Sequence, residues 1–464
     1  MTLNQYQFAS FRGAQGLSDF LNSNEISRSR ILQIGQRGEL YDLIYENDNR
    51  YFIGEVVTGP NIRPVIAGMG QSYFQAVDAG NRGPILSVGT QPYANQLLAA
   101  GPALGAMIDT AETPLTVAIN EMASRLPPSL RNLIRSNHAL GGTTLASVFP
   151  GGASAANTYN LVVADLVNSQ TLLTNGAEPL LGALMTSAYG YTEILADNSE
   201  ATALSIMSEL MRLRNVLEND AVLSTGQGKG VPLFHAQFGW QGSNTTPIFG
   251  WMAQVASQQY LQQPGMFCVG ATYHHSIDPG DNVHMYNICY QTLGELYGMV
   301  AYLVMYKNID WVPLHINTVT IDPADSTRLI VDVFCPALAY GYETSSEAPL
   351  ILDTDATLFG SRATPTAVNV INTPASATHH GFVYTGSGQA VTGVSYGGRS
   401  SSTSAFLYVQ LDGPASQGDT LDYAITGGRS PANPRGNVRD NFNWVTRTGR
   451  TMKNFLMSGR YTVT

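Results

Sequence analysis

Between residues 56 and 310 short, continuous apolar runs alternate with longer amphipathic stretches, and few folds accommodate that rhythm. The runs "PVIAGM" (64–69), "NLVVADLV" (160–167), "PLLGALMTSA" (179–188), "VPLFHAQF" (231–238) and "MFCVGATY" (266–273) have strand length and are apolar throughout. Strands of that kind belong in a parallel sheet covered by helices on both faces. The intervening helices are legible from their period. Ile206, Leu210, Leu213 and Leu217 form one apolar stripe, with Asn198 or Ser199 as its cap. Leu293, Leu296, Tyr297, Val300 and Val304 form a second stripe. The expected class is α/β, with a doubly covered parallel sheet.

The pattern changes after residue 310. "TRLIVDVFCP", "GFVYTGSGQAVTGVSYGG" and "SAFLYVQLDGP" read as strands separated by Gly, Pro, Ser and Thr. In the last of these, Leu407, Val409 and Leu411 alternate with Phe406, Tyr408 and Gln410, the period of a half-buried strand. The final third therefore reads as a β-sandwich, 311–464, behind an α/β domain, 56–310. Residues 1–55 form a polar N-terminal segment or linker, in which "ELYDLIYENDNRYFIGEV" alternates like strands.

Composition narrows the function. Only 12 % of the 464 residues are charged against 44 % hydrophobic, so the chain is not of the disordered class. A net charge of −10 with 24 scattered basic residues excludes a phosphate-binding face, and no nucleic-acid partner is expected. Abundant Ser, Thr, Asn, Gln and 46 Gly suit uncharged polar ligands such as sugars. Cys268, Cys289 and Cys335 cannot build a disulfide framework and are expected as buried thiols. "MTLNQYQFASFRGAQG" has neither the charged start nor the apolar core of a signal peptide, and no membrane span is expected.

Four stretches carry chemistry. "GMGQSY" (68–73) places Ser72 after a strand end, with glycine leaving room for a tight turn; Phe74 stands where a nucleophile elbow would have its second glycine. "SNHALGGTTLASVFPGG" (136–152) has a Gly-Gly pair whose N–H groups an oxyanion can approach closely, while His138 reads as structural. "SAYGYTEILADN" (187–198) places Tyr191, Thr192, Glu193 and Asp197 at a sheet edge, although a capped helix start explains the same residues. "IDPGDNVHMYN" (277–287) holds Asp281 and His284 three apart before a helix, so a carboxylate can fix the tautomer of an imidazole that faces a serine. Metal binding is the competing chemistry for "YHHSIDPGDNVH". Neighbouring His274 and His275 on a strand would point to opposite faces, so no metal is expected. "GQGKG" and "TGPN" lack the P-loop ending and read as loops.

Taken in order, "GQSY" (70–73), "LGGTTL" (140–145), "YTEILAD" (191–197) and "DNVH" (281–284) resemble the blocks of the SGNH hydrolase superfamily, in particular its sialate-O-acetylesterase-like carbohydrate esterases. "NVHMYNICYQTLGEL" is similar to that family's last helix, and "LDYAITGG…RGNVRD" to the end of the β-sandwich that follows it. The resemblance implies a flavodoxin-like SGNH fold over roughly 60–305 and a serine esterase that needs no cofactor. It makes Ser72 the nucleophile, His284 the general base and Asp281 its orienter, with Gly142, Tyr191 and Glu193 at the oxyanion hole. Tyr73 replaces the usual Asn, and Tyr191 and Thr192 replace Gln or His and Gly. The third oxyanion donor therefore stays open among Tyr191, Thr192, Glu193, Gln237 and Gln241.

The family usually removes O-acetyl groups from sugars, and this composition looks like a bacteriophage tail protein, commonly a trimer. The expected substrate is an acetylated surface polysaccharide, capsule or O-antigen. Other tail proteins are the expected partners, and the location is a virion reached by host lysis. A non-catalytic receptor-binding protein on the same fold and a bacterial esterase for small acetylated sugars are the alternatives.

Overall fold

The computed structural model describes residues 6–12, 31–37, 40–46, 62–75, 91–98, 104–106, 113–172, 178–187, 199–227, 230–237, 263–275, 287–353, 378–425 and 436–464 except 94 and 345, together with Tyr189, Glu193, Asp197, Leu261 and Met285. An N-terminal antiparallel sheet has the order β1-β3-β2, from β1 (Tyr6–Arg12), β2 (Ile31–Arg37) and β3 (Leu40–Glu46).

The α/β expectation is met by a seven-stranded sheet of order β10-β9-β8-β4-β7-β5-β6. Its strands are β4 (Ile62–Gly70), β5 (Gln96–Leu98), β6 (Leu104–Ala106), β7 (Ile134–Asn137), β8 (Glu178–Ser187), β9 (Leu233–Gln237) and β10 (Met266–Ala271). All pairings are parallel except that of β5 with β6. On β4, Ile66 joins the core on one face while Val65, Ala67 and Met69 join the core on the other, which is why the run is apolar without a break. The chain lays β5 to β7 on one side of β4 and β8 to β10 on the other. The carboxyl end of β4 is thus the point at which the strand order reverses, where open α/β sheets bind ligands.

Helices α1 (Ser72–Gln75), α2 (Pro114–Arg125), α3 (Leu145–Val148), α4 (Tyr159–Leu172), α5 (Glu200–Thr225) and α6 (Asn287–Lys307) cover the sheet. α2 and α6 close one face, and α4 and α5 the other. Ser199 caps α5 by accepting from Thr202 N, as the sequence implied. One expected strand is corrected: "NLVVADLV" lies within α4. Tyr159, Val162, Leu166 and Ser169 are its buried positions, a spacing of three and four, so tertiary burial overrides the strand preference of its valines. α6 reaches α2 because Gly294 and Gly298 carry no side chain. A Cβ at Gly294 would lie 2.6 Å from Pro114 O, and one at Gly298 would lie 2.5 Å from Ala118 O.

The last third is antiparallel β-structure, as expected. β11 (His315–Asp322), β12 (Asp325–Phe334), β15 (Val391–Arg399) and β16 (Ser404–Leu411) form one sheet, ordered β11-β12-β16-β15. β13 (Leu350–Leu352) pairs with β18 (Val438–Asp440), and β14 (Phe382–Thr385), β17 (Thr420–Tyr423) and β19 (Gly459–Thr462) make a third sheet. Leu407, Val409 and Leu411 are buried and Phe406, Tyr408 and Gln410 half-buried, the alternation read from the sequence. These sheets share one hydrophobic core with α2 and α6.

Two buried carboxylates fasten segment 444–450 to that helical layer. Glu121 on α2 accepts from Trp444 Nε1 (3.0 Å) and the Arg447 amide (2.6 Å). Glu295 on α6 accepts from Thr448 Oγ1 (2.5 Å) and Arg450 Nη1 (3.0 Å). The three cysteines are buried and free, as expected, and burial pushes the Cys268 thiol up to about 12. No helix among the described residues is long and apolar enough to cross a membrane.

Asp440 gives the fold a pH dependence. Burial raises its carboxyl from 3.8 to about 7, despite hydrogen bonds from Asn454 and the amides of Phe442 and Ala337. The folded state therefore holds a proton that the unfolded chain releases above about pH 4. Asp440 supports folding fully below that pH, and its contribution is lost as pH rises through about 7. Asp440→Asn should remove a slope of up to about 1.4 kcal/mol per pH unit across this window. Urea unfolding of both proteins from pH 4.5 to 8 measures it, and parallel curves would discount the role.

Candidate active site at the carboxyl end of the central strand

The chain leaves β4 at Gly70 and turns at once. Gln71 donates its amide to Ser187 O at the end of β8 (3.1 Å), and the amides of Phe74 and Gln75 donate back to Gln71 O (3.0 and 3.1 Å). Ser72 thus opens the one-turn helix α1. Tyr73 and Phe74 are buried against α6, edge-on to Tyr290 (5.9 Å) and Tyr297 (5.1 Å). The tyrosine beside Ser72 is a packing residue, whereas Ser72 itself is half-buried.

The Gly-Gly segment lies beside it. The amides of His138 and Leu140 donate to Gly68 O (2.9 Å) and Gly70 O (2.8 Å), extending the β7–β4 pairing past the strand end. The turn that follows is held from three elements. Gln75 Oε1 accepts from Gly141 N (2.7 Å), Gln71 Nε2 donates to Thr143 O (2.5 Å), and Glu193 Oε1 accepts from Leu145 N (2.5 Å). Gly142, at the apex, is exposed with φ +74°, and the space where a Cβ would stand is empty. Its glycine is required by backbone conformation and not by crowding. Among the described residues nothing accepts from the amides of Ser72 or Gly142. Two backbone donors next to a serine hydroxyl are the parts that acyl transfer requires.

Gly142→Ala tests the turn directly. A side chain at positive φ strains the apex and moves its amide, so any turnover of 4-nitrophenyl acetate that uses this amide should fall about 10²-fold in kcat with KM little changed. An equal fall in kcat/KM carried by KM alone would assign the glycine to binding.

Other expected residues fall into place by their contacts. Glu193 spends Oε1 on the turn as an acceptor from Leu145 N and so shapes the turn. Burial, and after it the charge of Glu193, pushes the Tyr189 phenol up. Asp197 accepts from Thr202 and Ser199 at the start of α5, the capping explanation, and those hydroxyls hold its carboxyl below the ordinary range. His138 Nε2 meets Asp165 Oδ2 on α4 (2.7 Å), and the same oxygen accepts from Ser136 (2.7 Å). That network ties down the strand end, the structural role expected of His138.

Gln237, a reserve oxyanion donor in the sequence, is fully buried, and both ends of its carboxamide bond the backbone of Ser458, each at 2.8 Å. It fastens the C-terminal segment to β9. The geometry assumed for the histidine pair is corrected. β10 ends at Ala271, and His274 and His275 lie in a turn closed by His275 N to Thr272 O (3.0 Å). Their rings lie 4.2 Å apart at 38°, with His274 stacked on Phe455 (4.2 Å). Released from strand geometry, the side chains are neighbours. Among the described residues no group of three or more His, Cys, Asp or Glu is placed to hold a metal ion. Asp281, His284, Tyr191, Thr192 and Gln241 lie outside the described residues; the first two fall between flanks that are buried at His275 and Met285.

No protein-family model matches the chain, and no curated protein matches it. Among solved structures, a protein of Arabidopsis thaliana is 18 % identical, covering 53 % of this chain and 99 % of its own, with a TM-score of 0.40. A carbohydrate acetylesterase of Xanthomonas citri is 12 % identical, covering 86 % and 80 %, with a TM-score of 0.48. A tail fibre protein of an Escherichia coli phage is 11 % identical, covering 71 % and 37 %, with a TM-score of 0.27.

Proposed function

We propose that the chain is a serine carboxylic ester hydrolase that removes O-acetyl groups from a carbohydrate. The observation that carries this reading is Ser72 at the reversal point of the sheet, beside a Gly141–Gly142 turn whose apex amide has no acceptor among the described residues. Ser72 Oγ attacks the acetyl carbonyl while His284 takes its proton, and Asp281 holds the imidazole and stabilises its charged form. The amides of Ser72 and Gly142 receive the oxyanion, with Tyr191 as a further donor. His284 then protonates the departing sugar oxygen, and water attacks the acetyl-enzyme with His284 again as base. Acetate leaves and Ser72 is restored.

The low charge and the Ser, Thr, Asn and Gly content favour a neutral, hydroxyl-rich substrate, and the substrate proposed is an acetylated bacterial surface polysaccharide. A role in phage adsorption is the biological setting that this composition favours, and other tail proteins and a trimeric assembly are what the likeness to phage tail proteins implies. Acetate release from an O-acetylated capsule or O-antigen, with the same polymer de-O-acetylated by alkali as control, tests the reaction. Binding of the acetylated polymer without acetate release would convert the protein into a receptor-binding module. Turnover restricted to small acetylated sugars would place the substrate elsewhere.

A further inference from the structure

We infer that Gln75, with Gln71, is a positioning residue that sets the oxyanion turn from the nucleophile's own helix; this rests on the hydrolase reading. The two glutamines stand four residues apart on either side of Ser72, a spacing that puts both side chains on one face of a helical turn. They grip the turn at two points: Gln75 Oε1 takes the amide of Gly141, and Gln71 Nε2 gives to the carbonyl of Thr143. Gly142 lies between these two points, so the peptide units before and after the apex donor are both fixed. Gly141 and Gly142 have no side chains with which to hold themselves in place.

The arrangement couples nucleophile and oxyanion donor mechanically. Ser72 Oγ and Gln75 ride on the same four-residue helix, α1, and Gln71 directly precedes it, its carbonyl accepting from the amides of Phe74 and Gln75. A shift of α1 moves both together, preserving the separation between attacking oxygen and amide donor on which acyl transfer depends. Gln75 is the more informative half. It is exposed, and its carboxamide oxygen is its means of acting on the site.

Gln75→Met keeps the length of the side chain and removes the acceptor. Steady-state hydrolysis of 4-nitrophenyl acetate by the full chain should show kcat down about tenfold and KM within about twofold of wild type. Combined with Gly142→Ala, the loss should be well short of the product of the two single losses, because both changes disturb the same turn. Amide hydrogen exchange over residues 140–145 should quicken in Gln75→Met while the thermal midpoint is unchanged.

The inference is overturned if kcat and turn exchange both match wild type. Fully multiplicative losses in the double variant would overturn it as well. Ser72→Ala separates this failure from that of the hydrolase reading. If Ser72→Ala hydrolyses at the wild-type rate the reaction assignment falls, and the exchange measurement then judges the clamp alone.

Discussion

Ser72→Ala should lower kcat for acetyl-ester hydrolysis by at least about 10⁴-fold while leaving KM close to wild type. The size follows from what remains. In the proposed mechanism the variant keeps the turn, its amides and the proposed base His284, but has no atom on which to carry the acetyl group. Residual turnover then comes from water attacking a bound, polarised ester. Because Ser72 is half-buried and starts a helix secured by Phe74 and Tyr73 in the core, the substitution should leave the fold intact. Acetate release and thermal midpoint are to be measured on the same preparation. A midpoint equal to wild type with unchanged turnover would remove the serine mechanism altogether.

The largest stability effect is expected at Glu121. Its side chain is wholly buried and accepts from the Trp444 indole, the Arg447 amide and the Arg125 guanidinium (3.2 Å). Glu121→Ala takes this acceptor from the Trp444 indole and the Arg447 amide, while the Arg125 guanidinium keeps Val445 O. Loss of one partner of such a buried set costs about 3–5 kcal/mol. Glu209 is the contrast, because its pair with Arg212 is open to solvent on both sides. Glu209→Ala should change stability by less than about 0.5 kcal/mol. Urea unfolding at neutral pH measures both. Comparable midpoints for the two variants would show that the Glu121 hydrogen bonds do not hold segment 444–450 in place.

The parallel strands were legible because burial on both faces leaves an uninterrupted apolar run, as on β4, β8 and β10. α4 was not, because the apolar residues within "NLVVADLV" satisfy a strand and a buried helix equally, and only packing against α5 distinguishes them. β7 escaped notice for the opposite reason. It is four residues long, and Arg135, Ser136 and Asn137 spend their side chains on Thr116, Asp165 and the Phe74 carbonyl. A strand that serves as a hydrogen-bonding scaffold does not look apolar.

At the site, Ser72 and the Gly-Gly pair were readable as motifs. Gln75 was not, because its partner is a backbone amide 66 residues away and no pattern of side chains records it. The spacing of Gln71 and Gln75 was the available signal. The closeness of the His274 and His275 rings was hidden too, since it depends on where β10 stops.

The shared core of α2, α6 and the C-terminal sheets bears on how such a chain can change over evolutionary time. The change of pattern near residue 310 invites the picture of an interchangeable cassette, yet Trp311, Leu314, Val331, Leu407 and Phe455 pack in one cluster with Val117, Tyr297 and Leu303. Recombination at that point would strip both products of their interior. Novelty in this protein is therefore expected to accumulate by gradual substitution outside that core, while the β-rich third is inherited together with the parallel sheet.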